Sequence, residues 1–124
     1  GETTRIETER AWDGHFYLDV EMNGMPVTFV IDTGATAIVL TEQDAKRLGI
    51  DTDGLMYTGV AGTANGEVRT APVRIESVVL GHMMDRNVPA VVNSGEMDTS
   101  LLGMSYLQIF SRIEIAGDRL VLER

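Results

Sequence analysis

Phe29-Val30-Ile31-Asp32-Thr33-Gly34-Ala35-Thr36 sets one carboxylate at the end of an apolar strand and follows it at once with a tight turn. A continuous aromatic and β-branched run of this kind reads as a buried strand. Burial makes an ionised aspartate costly, so Asp32 is expected to have partners or a task. Gly34 lets the backbone turn sharply and lets another chain or a ligand come close.

Upstream of this stretch the alternation is clean. Phe16, Leu18, Val20 and Met22 fall on one face and His15, Tyr17, Asp19 and Glu21 on the other, as in a half-buried strand. Asn23-Gly24 marks a hairpin turn, and residues 26–31 return as the strand that delivers Asp32. Residues 1–14 are a polar N-terminal segment with a weak strand at 3–10, where Trp12 is expected to act as a packing anchor. Downstream, 37–40 reads as a short strand. A short helix over 42–48 follows, with Thr41 and Asp44 as a capping box and Gly49 as its stop.

Gly, Thr, Asp and Asn crowd residues 51–66, and Asn65-Gly66 is a second hairpin signal. Strands are expected at 67–80, interrupted near Pro72, and at 87–92, with a turn around Gly81-His82. Leu101-Leu102-Gly103 leads into a short helical stretch over 104–110. A closing hairpin joins Arg112–Ala116 to 119–122 through Gly117-Asp118. Many short strands with two short helices predict an all-β sandwich or barrel.

The 124 residues fit one domain able to hold a hydrophobic core, and 44% of them are apolar. A net charge of −9 argues against nucleic acid or an anionic membrane as partner. The absence of cysteine excludes disulfides, thiolate chemistry and Cys-built zinc sites. No apolar run reaches the roughly 18–20 residues needed to span a bilayer. Gly1 in place of an initiator Met implies processing or truncation, with a signal or anchor missing upstream as an expectation.

Other chemistries find little support. His15 and His82 are far apart and read as surface residues. Residues 51–54 lack the later acidic ligands of a calcium loop, and no serine sits in a nucleophile elbow. No metal or cofactor is expected. The seven methionines read as filler of core and pocket.

Val30-Ile31-Asp32-Thr33-Gly34-Ala35-Thr36 resembles the active-site motif of aspartic proteases, and Leu101-Leu102-Gly103 resembles the hydrophobic-hydrophobic-Gly element that follows it in that fold. Between them lies a glycine-rich hairpin, and after them a helix and a terminal hairpin. In this order the chain is similar to retropepsin-like single-domain aspartic proteases over nearly its whole length, 1–124. The bacterial branch, with an Asn-Gly flap and a Leu-Leu-Gly-Met-Ser-Tyr-Leu segment (here 101–107), is the nearest in pattern.

The resemblance implies a closed β-barrel or sandwich in which Asp32 is catalytic and Thr33, Gly34 and Ala35 support it. It implies a flap over 57–68, whose Gly62, Thr63, Ala64, Asn65 and Gly66 cover a protein or peptide substrate. Leu101, Leu102 and Gly103 would be structural. Such hydrolysis needs two carboxylates sharing a proton, and the chain carries one Asp-Thr-Gly. The expected active form is therefore a two-fold homodimer with Asp32 facing Asp32, its dimer sheet built from 119–124 and the N-terminal strand.

Asp98-Thr99-Ser100 offers a rival, an intrachain pair with Asp32, although Asp98 follows a polar loop rather than an apolar strand. A second alternative is a non-catalytic dimerisation or peptide-binding module that keeps the fold. The resemblance also suggests the bacterial periplasm, with membrane contact only through an absent N-terminal helix anchored in the inner membrane.

Overall fold

In the computed structural model, which describes residues 4–63 and 66–124, the alternating segment forms β2 (Tyr17–Met22) after a short β1 (Arg5–Glu9). Phe16, Leu18, Val20 and Met22 are buried, while Asp19 and Glu21 face water. Asn23 and Gly24 turn the chain with φ of 52° and 80°, the pair of left-handed residues that a two-residue hairpin of type I′ requires. The return strand is β3 (Met25–Ile31), with Met22 opposite Met25.

Beyond Asp32 come β4 (Ile38–Thr41), α1 (Glu42–Arg47), a 3₁₀ turn at Thr52–Gly54, β5 (Gly59–Thr63) and β6 (Gly66–Leu80). The chain ends with β7 (Met83–Asn93), β8 (Ser100–Leu102), α2 (Met104–Leu107), β9 (Arg112–Ala116) and β10 (Arg119–Glu123). The main sheet runs β2-β3-β8-β4-β7-β6-β5, and β6 pairs back onto β2 at Glu21–Val79 and Met22–Val78. That pairing closes the sheet into a barrel from which β5 projects as a hairpin with β6. The expected all-β closed fold is thus what forms. Phe29, Met22, Ile38, Leu40, Ile75 and Leu102 fill its interior, fully buried. Each such side chain contributes about 1.5–3 kcal/mol of transfer free energy.

The short helix α1 is fixed at both ends by local chemistry. Thr41 Oγ1 accepts the amide of Asp44 at 3.0 Å, as an N-cap hydroxyl does. At the other end the amides of Gly49 and Ile50 donate to the carbonyls of Lys46 and Ala45 at 3.0 and 3.1 Å, a Schellman closure. Buried Ser100 ties the helix to the barrel: its Oγ accepts from the Thr41 amide at 3.1 Å and donates to Asp44 Oδ2 at 2.6 Å.

Several expectations need correction. β6 runs unbroken through Pro72, which sits opposite Val91. At that point the other edge of β6 is paired neither with β5, whose partners on β6 stop at Thr70, nor with β2, whose partners on β6 start at Val78. Proline is tolerated there as on an edge strand. Gly66 is in the ladder opposite Thr63, and the rest of the expected hairpin turn falls on residues that are not described. Ala64 and Asn65 lie outside the described residues.

Trp12 is no packing anchor: it is 98% exposed, and the neighbouring anchor is Arg10, whose guanidinium stacks over Phe16 at 4.5 Å. Met22 and Met83 are core, but Met25, Met56 and Met84 are exposed. The terminal strands form a separate sheet of order β1-β10-β9. Strand β10 is its centre, paired on both sides, so 119–124 has no free edge for a dimer sheet; β1 and β9 have.

Candidate active site

Strand β8 is inserted between β3 and β4, parallel to the first and antiparallel to the second. The chain therefore leaves β3 at Ile31, loops over the end of β8 and returns as β4. Three backbone hydrogen bonds clamp this loop to the end of β8 and the segment that follows it. The Asp32 amide donates to the Leu102 carbonyl at 3.0 Å, and the amides of Met104 and Ser105 donate to the carbonyls of Ala35 and Thr36 at 2.9 and 2.7 Å.

Gly103 makes the clamp possible. A Cβ there would lie 2.3 Å from the Ala37 carbonyl oxygen and 2.7 Å from that of Ala35, both backbone atoms that cannot move aside. The sequence places Leu101-Leu102-Gly103 far from Asp32, and the fold brings them into direct contact. Leu102 is fully buried, while Leu101 reaches the cleft described next.

Within the loop the Ala35 amide donates to the Asp32 carbonyl at 3.2 Å, and the Gly34 amide donates to Asp32 Oδ1 at 2.9 Å. The carboxylate is thus aimed by its own turn. Asp32 is half-buried rather than enclosed, which corrects the expectation of a buried charge. The cause is local: Val30 and Ile31 are also only partly covered, because the barrel opens into a cleft at this strand end. Thr33 and Gly34 are exposed beside it, and the Thr33 hydroxyl has no hydrogen-bond partner among the described residues.

The cleft has a volume of about 730 Å³. Asp32, Gly34 and Ala35 line one side, with Val39, Val91, Leu101 and Met97 as apolar wall and Val60 and Ala61 from the β5–β6 hairpin opposite. Of the hairpin residues expected to cover substrate, Gly62 and Thr63 pair through the backbone with Glu67 and Gly66, and Val60 and Ala61 of the same hairpin line the cleft. Val60 and Ala61 fall within the expected flap, 57–68, without being singled out there, and sequence reading missed Asn93, Glu96 and Met97, since no motif marks that loop. A shallower groove of about 440 Å³ continues from Thr36, Ala37 and Val91 to Pro72 and Val73.

Asp98 does not join Asp32. It is exposed and lines two other cavities, one with Asp19, Thr28 and Arg47, the other with Glu42 and Gln43. His15 and His82 are exposed. Among the described residues no cluster of three or more His, Cys, Asp or Glu is placed to hold a metal, and no helix is long and apolar enough to cross a membrane.

Residues 18–109 match the family described as "gag-polyprotein putative aspartyl protease". An uncharacterised protein of Rickettsia prowazekii is 43% identical over 121 residues, covering 98% of this chain and 52% of that protein. The chain spans about half the length of the curated bacterial relatives it matches. The crystal structure of a retropepsin-like aspartic protease from Rickettsia conorii superposes with a TM-score of 0.90 at 43% identity, over 98% of this chain and 92% of that one. The inhibitor-bound EIAV protease shares the fold at TM-score 0.66 and 21% identity, over 79% of this chain and 89% of its own.

Proposed function

This chain belongs to the retropepsin-like aspartic proteases, and from that premise we propose that it is an aspartic endopeptidase active as a two-fold homodimer. The observation that carries the proposal is Asp32 itself: one carboxylate, aimed by the Gly34 amide, on a loop clamped at three points and facing a cleft. No second carboxylate of the chain lies within hydrogen-bonding company of it among the described residues. The partner group is Asp32 of another copy across the two-fold axis, and exposed Thr33 and Gly34 are the surface that would meet it.

In that arrangement two carboxylates about 3 Å apart share one proton, since both cannot carry charge so close together. The ionised Asp32 takes a proton from water as the water oxygen attacks the scissile carbonyl carbon. The protonated Asp32 hydrogen-bonds the carbonyl oxygen as charge develops there. Collapse of the tetrahedral intermediate breaks the C–N bond, and the amine leaves with a proton returned by the pair. The β5–β6 hairpin acts as the flap, excluding water when it closes over an extended peptide. We also place the domain at the bacterial envelope, facing the periplasm, which fractionation of cells would check.

The test is cleavage of a denatured protein between pH 4 and 6, with molecular mass in solution measured on the same sample. Wild type should cleave as a dimer and Asp32→Asn should be inert. Cleavage that survives the substitution would sink the assignment. A dimer that binds peptides and never cuts them would leave the peptide-binding module.

A further inference from the structure

Besides Asp32, one ionisable side chain lines the cleft among the described residues: Glu96, on the loop between β7 and β8. This loop is anchored. The Ser94 amide and hydroxyl both donate to the Arg69 carbonyl, at 3.0 and 2.8 Å. Buried Asn93 accepts the Gly95 amide at 2.7 Å and reaches Met97 Sδ with its amide nitrogen at 3.6 Å. Gly95 packs so tightly on Val68 that a Cβ would come within 2.6 Å of its side chain. Glu96 is therefore presented from a fixed backbone.

Its carboxylate has no hydrogen bond or ion pair among the described residues. The surrounding cleft is apolar or neutral, through Val60, Thr70, Val91, Met97 and Thr99. The groove that continues past Glu96 and Met97 carries Glu42 and Asp98 and, among the described residues, no lysine or arginine. An unpaired anion beside an apolar trough, with no cation facing it, discriminates by charge against acidic groups and in favour of basic ones.

We infer that Glu96 is a specificity-determining residue that selects a Lys or Arg side chain in a peptide lying along the cleft. The inference rests on the peptidase reading above and names its substrate class: peptides apolar at the scissile bond and basic a short way from it. Because a homodimer carries two copies of Glu96, the preference applies on both sides of the scissile bond. An exposed ion pair of this kind gives a preference of about two- to fivefold that shrinks as salt rises.

The test uses an apolar reference peptide and its variants with Lys, Gln or Glu at each position flanking the scissile bond. Cleavage by wild type gives kcat/KM, and fluorescence anisotropy gives binding to Asp32→Asn, which leaves peptides intact. Lys should exceed Gln by about two- to fivefold at one position on each side, with Glu poorest. Glu96→Gln should level the series and Glu96→Lys should invert it, in cleavage and in binding alike. Cleavage without charge discrimination, or discrimination untouched by either variant, overturns the role of Glu96 and leaves the peptidase standing. Charge-selective binding without cleavage supports Glu96 and overturns the peptidase. No binding of any peptide overturns the inference as well.

Discussion

The amide of Asp32 donates to the carbonyl of Leu102 at 3.0 Å, extending by one residue the parallel pairing in which Ile31 faces Leu102. The position of the carboxylate is thus set by a strand that arrives late in the chain. The aspartate loop and the Leu-Leu-Gly segment each supply backbone partners to the other.

Gly103→Ala tests this dependence directly. Its Cβ would sit 2.3 Å from one backbone carbonyl oxygen and 2.7 Å from another, so the loop carrying Asp32 must shift. Overpacking of this sort costs about 3 kcal/mol. Urea unfolding should show that loss, and any peptidase activity should fall further than stability alone explains.

Ser100→Ala should cost about 2 kcal/mol. The buried hydroxyl serves both Thr41 and Asp44, and its removal leaves the Thr41 amide without that acceptor. Thermal unfolding should move down, while the cleft, which Ser100 does not line, keeps its shape.

What was legible in the sequence follows from the range of the forces involved. The β2–β3 hairpin and the α1 cap depend on neighbours in sequence, and Asn23-Gly24 and Thr41 announced them. Aromatic character alone suggested that Trp12 packs, yet it is 98% exposed, because no other element reaches it. Pro72 looked like a break until the free edge of β6 beside it was known. Glu96 and Met97 line the cleft only because β7 and β8 flank Asp32's strand neighbours, a pairing no local pattern encodes. Asp32 stood out in the sequence as a carboxylate between an apolar strand and a tight turn, and its half-burial did not, since that depends on where the barrel opens.

Tyr106 gives a prediction in pH. It is 2% exposed, its hydroxyl has no hydrogen-bond partner among the described residues, and its ring meets Phe110 edge-on at 5.8 Å. Burial first, then the nearby Asp85 carboxylate, push its phenol up to about 12, against a smaller lowering by Arg124. The unfolded chain ionises near 10. The fold therefore holds the proton more tightly, and this contribution is complete below about pH 10 and lost as pH rises to about 12, roughly 2–3 kcal/mol. Tyr106→Phe should remove that alkaline loss and, by deleting an unpaired buried hydroxyl, gain about 1 kcal/mol at neutral pH. Denaturant titrations of both proteins across pH 7–12 check the two effects together.

Thr33→Val probes the proposed dimer. The exposed hydroxyl has no partner within the chain among the described residues, so unfolding of the monomer should change by no more than about 0.5 kcal/mol. If the hydroxyls bridge two copies, two hydrogen bonds are lost per dimer and the dimer Kd should rise about tenfold or more. Sedimentation over a dilution series separates the outcomes. An unchanged Kd would place Thr33 outside the interface.

Mixing subunits tests whether Asp32 works in pairs. Asp32→Asn removes one ionisable oxygen and keeps the acceptor that the Gly34 amide uses, so the variant should fold and exchange subunits with wild type. At fixed wild-type concentration, a tenfold excess of variant leaves roughly a tenth of the wild-type chains in all-wild-type dimers by mass action. Mixed dimers hold one carboxylate and one amide, which cannot share a proton between two acids. Activity per wild-type chain should therefore fall to roughly a tenth after exchange, followed with a quenched fluorescent peptide. A monomer acting through Asp32 and some group of the same chain would show no fall at all, because the variant would then be a bystander.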